Sequence, residues 1–520
     1  MRQAIICRVS AALLLFGSSF LPFAAAAQGQ VTAEQVDKAV EALEKLAEGQ
    51  IDETAVPGLA VAVVFQDKVV YAKGFGVKDT GTGEAVDADT VFQIASISKP
   101  IGSTVIAALI GEGEITWDSK VSALDPTFAM YEPWVTREIT LRDFFSHRSG
   151  LPAYAGDLLE DLGFTREEVL HRLRYQHPAT SFRSGYAYTN FGITAAAVAA
   201  AKAYGLVWED AIEEKLYGPL AMSSTSSRHA DFIARPNKAW GHVLVDGKWV
   251  PKFKRNPDAQ APAGGVSSTV TDLAKWIRLQ LASGKIDGKQ IVPEAALAET
   301  HVPQFLISPT SLSGIPQFYG LGWNVGYSDD GRLKLSHSGG FELGAGTNVN
   351  MSPGDQLGVV VLTNGSPTGV AEGLTAEFLD LALYGKATRE WLKLYKGRFA
   401  QMAEAAQGAD YSKPPASPSP AAGNEAYLGR YRNDFFGEIA ITENDGGLAI
   451  VQGPQEKAFA MKHFDRDAFT YATEGEMAIG TAGITFTLGA DGKAIRVLVE
   501  NLDAGGEGTF VRMLPAAPGP

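Results

Sequence analysis

The chain has 520 residues, enough for two or three domains. Apolar residues at 45% and charged residues at 20% describe an ordinary globular protein. Acidic side chains outnumber basic ones, 59 to 45, and no basic tract reverses the balance, which argues against nucleic acid as a partner.

The first residues read as a secretory signal over 1–27. Arg2 and Arg8 supply the positive start, Ala11 to Phe23 the apolar run and Ala25-Ala26-Ala27 the cleavage site, so the expected location is the periplasm or the medium. An uncleaved anchor is the alternative, but the run is short for a span, and no later stretch is long enough to cross a bilayer. The one cysteine, Cys7, falls inside the signal. The mature chain is then expected to have neither disulfide nor thiol nucleophile.

Thr32-x-x-Gln35 spells a capping box. Val36, Ala39, Val40, Leu43, Leu46 and Ala47 follow on one helical face. Gly58 to Phe65 and Lys68 to Gly76, joined at Gln66-Asp67, predict a hairpin. Asp79-Thr80-Gly81 spells the aspartic-protease triplet, but that chemistry needs two carboxylates sharing a site and no second copy exists. It reads as a turn.

Ser96 and Lys99, in Ile94-Ala95-Ser96-Ile97-Ser98-Lys99-Pro100, stand three apart at the head of a predicted core helix with apolar Ile101, Val105, Ile106, Leu109 and Ile110. One turn of helix puts the hydroxyl and the amine on the same face. A serine hydroxyl needs a proton acceptor, and an amine whose pKa is lowered by burial can serve. Such a pair arises by chance about once or twice in a chain of this length, so alone it signifies little. Pro100 is tolerated in a first turn, and free N–H groups at the helix start suit an oxyanion.

From Ser96 to about Lys254 the pattern is mostly helical, including Thr194 to Tyr204. A helix over Thr271 to Leu281 has Thr271 or Ser268 as its expected cap. Strands are predicted at Tyr319–Gly326, Leu333–His337, Thr347–Met351 and Gly358–Thr363. Strands, a helical insert and strands again imply an α/β domain whose sheet draws on both ends of the segment. A proline-rich stretch, Lys413 to Asn424, predicts a semi-rigid linker. Ala426 to Leu514 is almost all β, as in a small antiparallel sandwich or barrel. The expected division is 1–27 signal, 28–404 first domain, 405–424 linker and 425–520 β domain. A separate tail of this kind could cap the cleft and limit substrate length.

Tyr188-Thr189-Asn190 lies 92 residues after Ser96. A tyrosine beside an ammonium can be held partly as phenolate and shuttle a proton. His337-Ser338-Gly339-Gly340 follows 149 residues later, at the end of a strand pattern. Its small residues would let a substrate backbone lie along the strand edge, and the N–H of Gly340 could join that of Ser96 as an oxyanion hole. Tyr431-Arg432-Asn433 repeats the tyrosine spacing in the β tail and reads as a decoy.

Ser96-x-x-Lys99, Tyr188-x-Asn190 and His337-x-Gly339, in this order, resemble the penicillin-recognising serine hydrolases, in the class C β-lactamase-like branch with its peptidase and esterase relatives. Ser146-His147-Arg148-Ser149-Gly150-Leu151-Pro152, Gly264 to Thr269, Tyr319 to Trp323 and Val361 to Gly365 add to the likeness, which covers roughly 31–390. The tail, with Tyr427-Leu428-Gly429-Arg430-Tyr431, resembles the lipocalin-like β domain of some members.

The resemblance implies a β-lactamase-like fold, an antiparallel sheet flanked by helices plus a helical subdomain. It implies Ser96 as the acylated nucleophile, Lys99 as proton acceptor or electrostatic partner of Tyr188, and Tyr188 as general base. Asn190 would orient Lys99 and the substrate amide. His337, with Ser338 and Gly339 along the strand, would bind a substrate carboxylate or relay a proton. No cofactor and no metal are implied.

One departure matters. The third motif of such β-lactamases usually begins with lysine, whereas His337 resembles D-alanyl-D-alanine peptidases and D-aminopeptidases. An imidazole only partly protonated at neutral pH grips an anionic lactam poorly. No Glu-x-x-Leu-Asn segment supports a class A arrangement, and neither Gly-x-Ser-x-Gly nor His-Glu-x-x-His occurs. His147 reads as a structural loop residue, and Tyr319 and Trp323 as core or pocket wall. The expected activity is therefore hydrolysis of a small peptide or amide through an acyl-enzyme. Esterase and β-lactamase are alternatives, and a ligand sensor or assembly module that never turns over is an alternative of another class.

Overall fold

The computed structural model describes residues 30–310, 314–444 and 446–514. The expected signal, with Cys7, lies outside them.

An eight-stranded antiparallel sheet is the scaffold. Its strands are β1 (Gly58–Phe65), β2 (Lys68–Gly76), β3 (Phe305–Ser308), β4 (Gln317–Tyr319), β5 (Asn324–Tyr327), β6 (Leu333–Phe341), β7 (Ala345–Ser352) and β8 (Leu357–Thr363). Their order across the sheet is β2-β1-β8-β7-β6-β5-β4-β3, so the two ends of the segment do meet in one sheet. Every residue of β1 and β8 is buried, because helices cover both faces. Leu59, Val61 and Val63 face α1 (Ala33–Thr54) and α5 (Val370–Tyr384). The smaller Ala60 and Ala62 face the other core, which holds α2 (Ser98–Ile110), α3 (Asn190–Ala203) and α4 (Val270–Leu281).

The local signals explain these elements. Thr32 and Gln35 form the reciprocal capping box of α1. Gln66 and Asp67 both take positive φ, the backbone of a tight hairpin that follows strand twist. Asp79 closes a turn, its carboxylate accepting from the N–H of Gly81 at 2.7 Å. The cap of α4 is Thr269, whose hydroxyl accepts from the N–H of Asp272 at 3.0 Å, rather than Thr271 or Ser268. α3 starts at Asn190, a turn earlier than its alanine run suggested. Within the expected helical stretch, Val243–Val245 and Lys248–Val250 pair as a hairpin around Asp246-Gly247.

The strand expected over Tyr319–Gly326 is two strands. Gly320 to Trp323 reverses the chain, and β4 then pairs antiparallel with β5. Gly322 takes φ +78°, and a Cβ there would lie 2.8 Å from the carbonyl oxygen of Lys99, so the reversal needs glycine and seats β4 and β5 against α2.

After α6 (Trp391–Ala406) the chain reaches the tail. Nine antiparallel strands wrap into a nearly closed barrel, β9 (Gly429–Asn433), β10 (Gly437–Asn444), β11 (Gly447–Gln452), β12 (Lys457–Ala460), β13 (Lys462–Asp465), β14 (Ala468–Ala472), β15 (Thr481–Leu488), β16 (Ala494–Val499) and β17 (Thr509–Arg512). Tyr431 belongs to its interior, donating to the carbonyl of Tyr427 at 2.6 Å, so the repeated tyrosine spacing is a packing feature. The barrel sits on the helical region. Arg172 donates to the carbonyl of Phe435 at 2.9 Å, and His177 Nδ1 lies 2.5 Å from the carboxylate of Glu507.

Candidate active site

Ser96 lies in a single 3₁₀ turn, Ala95–Ile97, that runs directly into α2. Ala95 takes φ +47°, a strained value for a residue with a Cβ, and this turns Ser96 toward the edge of β6. Lys99 occupies the first turn of α2 and is fully buried. Its Nζ lies 2.8 Å from Ser96 Oγ and donates to the carbonyl of Ala263 at 2.9 Å. Burial pushes its pKa down to about 7, with the charge of Asp157 opposing. An ordinary lysine would be a locked cation at neutral pH; this one is poised to accept a proton.

Tyr188 comes from the segment before α3. Its hydroxyl hydrogen-bonds Ser96, and Lys99 Nζ sits over its ring, 4.6 Å from the centroid. Burial holds the phenol well above its ordinary value, with the Ser96 bond opposing. Burial therefore works against the expected partial phenolate, and the amine over the ring face does not offset the loss of water around the oxygen. The phenol thus keeps its proton, and the depressed amine beside Ser96 is the group able to accept one.

The wall behind Tyr188 is built from a loop that the sequence marked only loosely. Asp143, fully buried, binds Arg148 and Arg183, each at 2.7 Å, and its carboxyl stays below the usual range through those bonds despite burial. The clamp fixes His147, which takes φ +56°. Its ring lies 4.5 Å from that of Tyr188 and 4.7 Å from that of Tyr319, and its Nδ1 accepts from the N–H of Thr189 at 3.1 Å. His147 is structural, as expected, but it supports the site itself.

β6 supplies the third motif. Its pairing with β5 ends at Ser336, so from His337 to Phe341 one edge lacks a strand neighbour while β7 covers the other. Gly339 packs directly on the nucleophile's backbone. A Cβ there would lie 2.2 Å from the carbonyl oxygen of Ile94 and 3.0 Å from Ser96 N, so glycine lets the strand reach Ser96. Gly340 follows, where a Cβ would lie 2.8 Å from the Pro367 ring.

Three expectations for this region need correction. His337 is buried and neutral, its pKa pushed to about 3 by burial and then by Lys99. Its Nδ1 donates to the carbonyl of Ser338 at 2.7 Å, and its Nε2 accepts from the hydroxyl of Tyr319 at 2.8 Å. With both nitrogens engaged it does not offer a cation to a substrate carboxylate. Strand alternation turns Ser338 to the opposite face, where it accepts from Asn348 at 3.0 Å and bonds Glu372, so its side chain does not line the cleft. Asn190 does not hold Lys99; its amide donates to Asp157 at 2.6 Å. Its Oδ1 is buried with no protein partner among the described residues.

Asp157, Glu160 and Arg255 carried no sequence signal. Asp157 opens a short helix, Asp157–Asp161, and burial raises its carboxyl well above the usual range, with Glu160 adding to the effect. Glu160 pairs with Arg255 at 2.5 Å, and both are buried. Nothing in sequence separates these charges from the many on the surface.

The geometry brings together a hydroxyl, a depressed amine, a phenol and an open strand edge. A model of the family described as Beta-lactamase matches residues 37–384, more than half the chain. The chain belongs to that family. Its family members are the context for this site, which is that of a serine hydrolase. A second model, a domain of unknown function called DUF3471, matches 413–509 and so covers the barrel up to the start of its last strand.

Among curated relatives, Unguisins hydrolase ungD of Aspergillus violaceofuscus is 26% identical over 84% of this chain and 84% of its own. Penicillin-binding protein 4 of Amycolatopsis lactamdurans is 30% identical over 63% of this chain and 84% of its own. D-alanyl-D-alanine-carboxypeptidase/endopeptidase AmpH of Escherichia coli strain K12 is 26% identical over 60% and 80%. Among solved structures, the octameric penicillin-binding protein homologue from Pyrococcus abyssi superposes with a TM-score of 0.59 at 19% identity, over 91% of this chain and all of the other, a likeness of fold.

Proposed function

We propose that this protein hydrolyses small peptide or amide substrates through an acyl-enzyme on Ser96. The observation that carries the reading is the buried Lys99 amine, 2.8 Å from Ser96 Oγ, with its pKa brought to about 7.

The chemistry then runs as follows. Ser96 Oγ attacks the substrate carbonyl carbon, and its proton passes to Lys99 Nζ. The N–H groups of Ser96 and Gly340 stabilise the tetrahedral oxyanion. As the C–N bond breaks, Tyr188 gives its hydroxyl proton to the leaving amine and is reprotonated from Lys99. Water enters where the amine left and attacks the ester, losing its proton along the same path. Ser96 recovers its proton, and the acid leaves. Asn190 Oδ1 accepts from the substrate amide.

An amide leaving group needs a proton donor, and a neutral Tyr188 suits that need. The neutral His337 disfavours a substrate that relies on a cation at that position, as an anionic β-lactam would. A relative named as a carboxypeptidase/endopeptidase agrees with amide chemistry. We further propose that residues 1–27 export the chain, since the positive start, apolar run and small-residue site occur in that order. N-terminal sequencing of protein from a secreting host, expected to begin near Gln28, tests export.

A panel of peptide p-nitroanilides, p-nitrophenyl esters and nitrocefin tests the activity. Turnover of anilides by the native chain, lost in Ser96→Ala, is expected. Anilide turnover that survives Ser96→Ala would end the proposal, fast nitrocefin turnover would make the protein a β-lactamase, and labelling without product release would make it a sensor.

A further inference from the structure

The loop between β14 and β15, residues 473–480, leaves the barrel and reaches three pieces of the catalytic domain at once. The N–H groups of Glu476 and Met477 donate to the carboxylate of Asp161, at 3.0 and 2.7 Å. Asp161 ends the short helix whose first residue, Asp157, holds Asn190. The carboxylate of Glu476 accepts from the N–H of Glu342 at 2.6 Å and lies 3.7 Å from Arg255 Nε. Glu342 follows Phe341, the last residue of β6 and of its open edge.

These contacts lie close to the nucleophile. Arg255 stacks 5.1 Å from the centroid of Phe341, and Phe341 packs against Ala95, the residue before Ser96. The polarity of the cleft then follows from the chemistry. Tyr188 and His337 stand at one end of the open edge, their rings 6.4 Å apart, and the leaving amine must face Tyr188 to receive its proton. The acyl half of the substrate extends the other way, past Gly340 toward Phe341 and Glu342. There the barrel loop stands.

We propose that this loop is the end wall of the acyl subsite, held by Glu476, and that it limits the enzyme to substrates whose acyl half is a single short residue. The inference rests on the reading of Ser96 as the acylated group. Glu476 is a positioning residue: it acts through the Glu342 backbone and Arg255 and does not touch the reacting atoms. Its side chain is only 14% exposed, so the loop is seated rather than draped. A longer acyl chain along the edge of β6 would have to displace a carboxylate from the N–H groups of Glu342 and Leu343 and from Arg255, and uncover the buried Arg255–Glu160 pair.

The test uses the full chain and two matched series, p-nitroanilides with one alanine and with three alanines on the acyl side, in both chiralities. The native protein is expected to favour the single residue by about tenfold or more in kcat/KM. Replacing residues 474–478 by Gly-Gly should narrow that ratio by about fivefold or more, chiefly through a lower KM for the long substrate. Glu476→Ala, a milder change, should move the ratio in the same direction and serves if the shortened loop does not fold. Equal or better cleavage of the long substrate by the native protein overturns the wall, and so does a ratio that stays put in folded variants. Failure of the acyl-enzyme reading looks different: no adduct on Ser96 with either series, and rates that survive Ser96→Ala.

Discussion

The amine of Lys99 lies over the face of the Tyr188 ring, 4.6 Å from its centre, and its hydrogen bonds go to Ser96 Oγ and the carbonyl of Ala263. In the proposed mechanism that placement favours the amine as the proton acceptor. An amine over the ring face makes no hydrogen bond to the phenol oxygen, whereas burial favours the amine without its proton. The phenol is left as a donor.

The first prediction concerns pH. Lys99 must be neutral to act, and its pKa is brought to about 7. The ratio kcat/KM should rise with pH through that value and fall about tenfold per unit below it. Lys99→Met should lose about 10²–10⁴-fold in rate, and its residual activity should lack the rising limb. A pH series of initial rates checks both.

Asp157 holds Asn190 by one short bond inside the site. Asp157→Ala frees the amide to turn, and a misplaced substrate contact can cost about 10²-fold. Asp157→Asn, which keeps an oxygen acceptor, should recover most of that loss. Steady-state kinetics on one anilide distinguish the two, with melting curves to confirm folding.

His337 predicts a stability effect. Its folded pKa is about 3 against an ordinary 6.5, so between those values the unfolded chain binds a proton that the folded one does not. Its contribution is fully present above pH 6.5 and is lost as pH falls toward 3. His337→Gln should flatten part of the decline in denaturation midpoint between pH 6.5 and 4. His147, also buried with its pKa lowered, should leave a remaining slope.

Gly339→Ala puts a methyl group where the carbonyl of Ile94 and the N–H of Ser96 already stand. The expected cost is about 1–3 kcal/mol of stability, as for other overpacked sites. Acylation should fall far more than stability, because the strand edge moves off the oxyanion position. Urea denaturation and adduct mass after a serine reagent measure the two losses separately.

The sequence by itself determined the local pieces. The capping box at Thr32, the Gln66-Asp67 hairpin, the helix after Ser96 and the β tail rest on signals within a few residues, where propensity and periodicity act directly. The ordered motifs singled out Ser96, Lys99, Tyr188 and Gly339, which the fold brings together.

Only the tertiary structure decided the charge states and the partners. The Lys99 amine is depressed, the Tyr188 phenol raised and the His337 imidazole lowered because water is excluded around them, and exclusion is a property of the packed whole. The same holds for Ser338, turned away by strand alternation, for Asp157 and Arg255, which resemble any surface charge until they are buried, and for Glu476, brought from the barrel to the end of β6. Contacts between residues hundreds of positions apart leave no periodic trace in the chain that folds to make them.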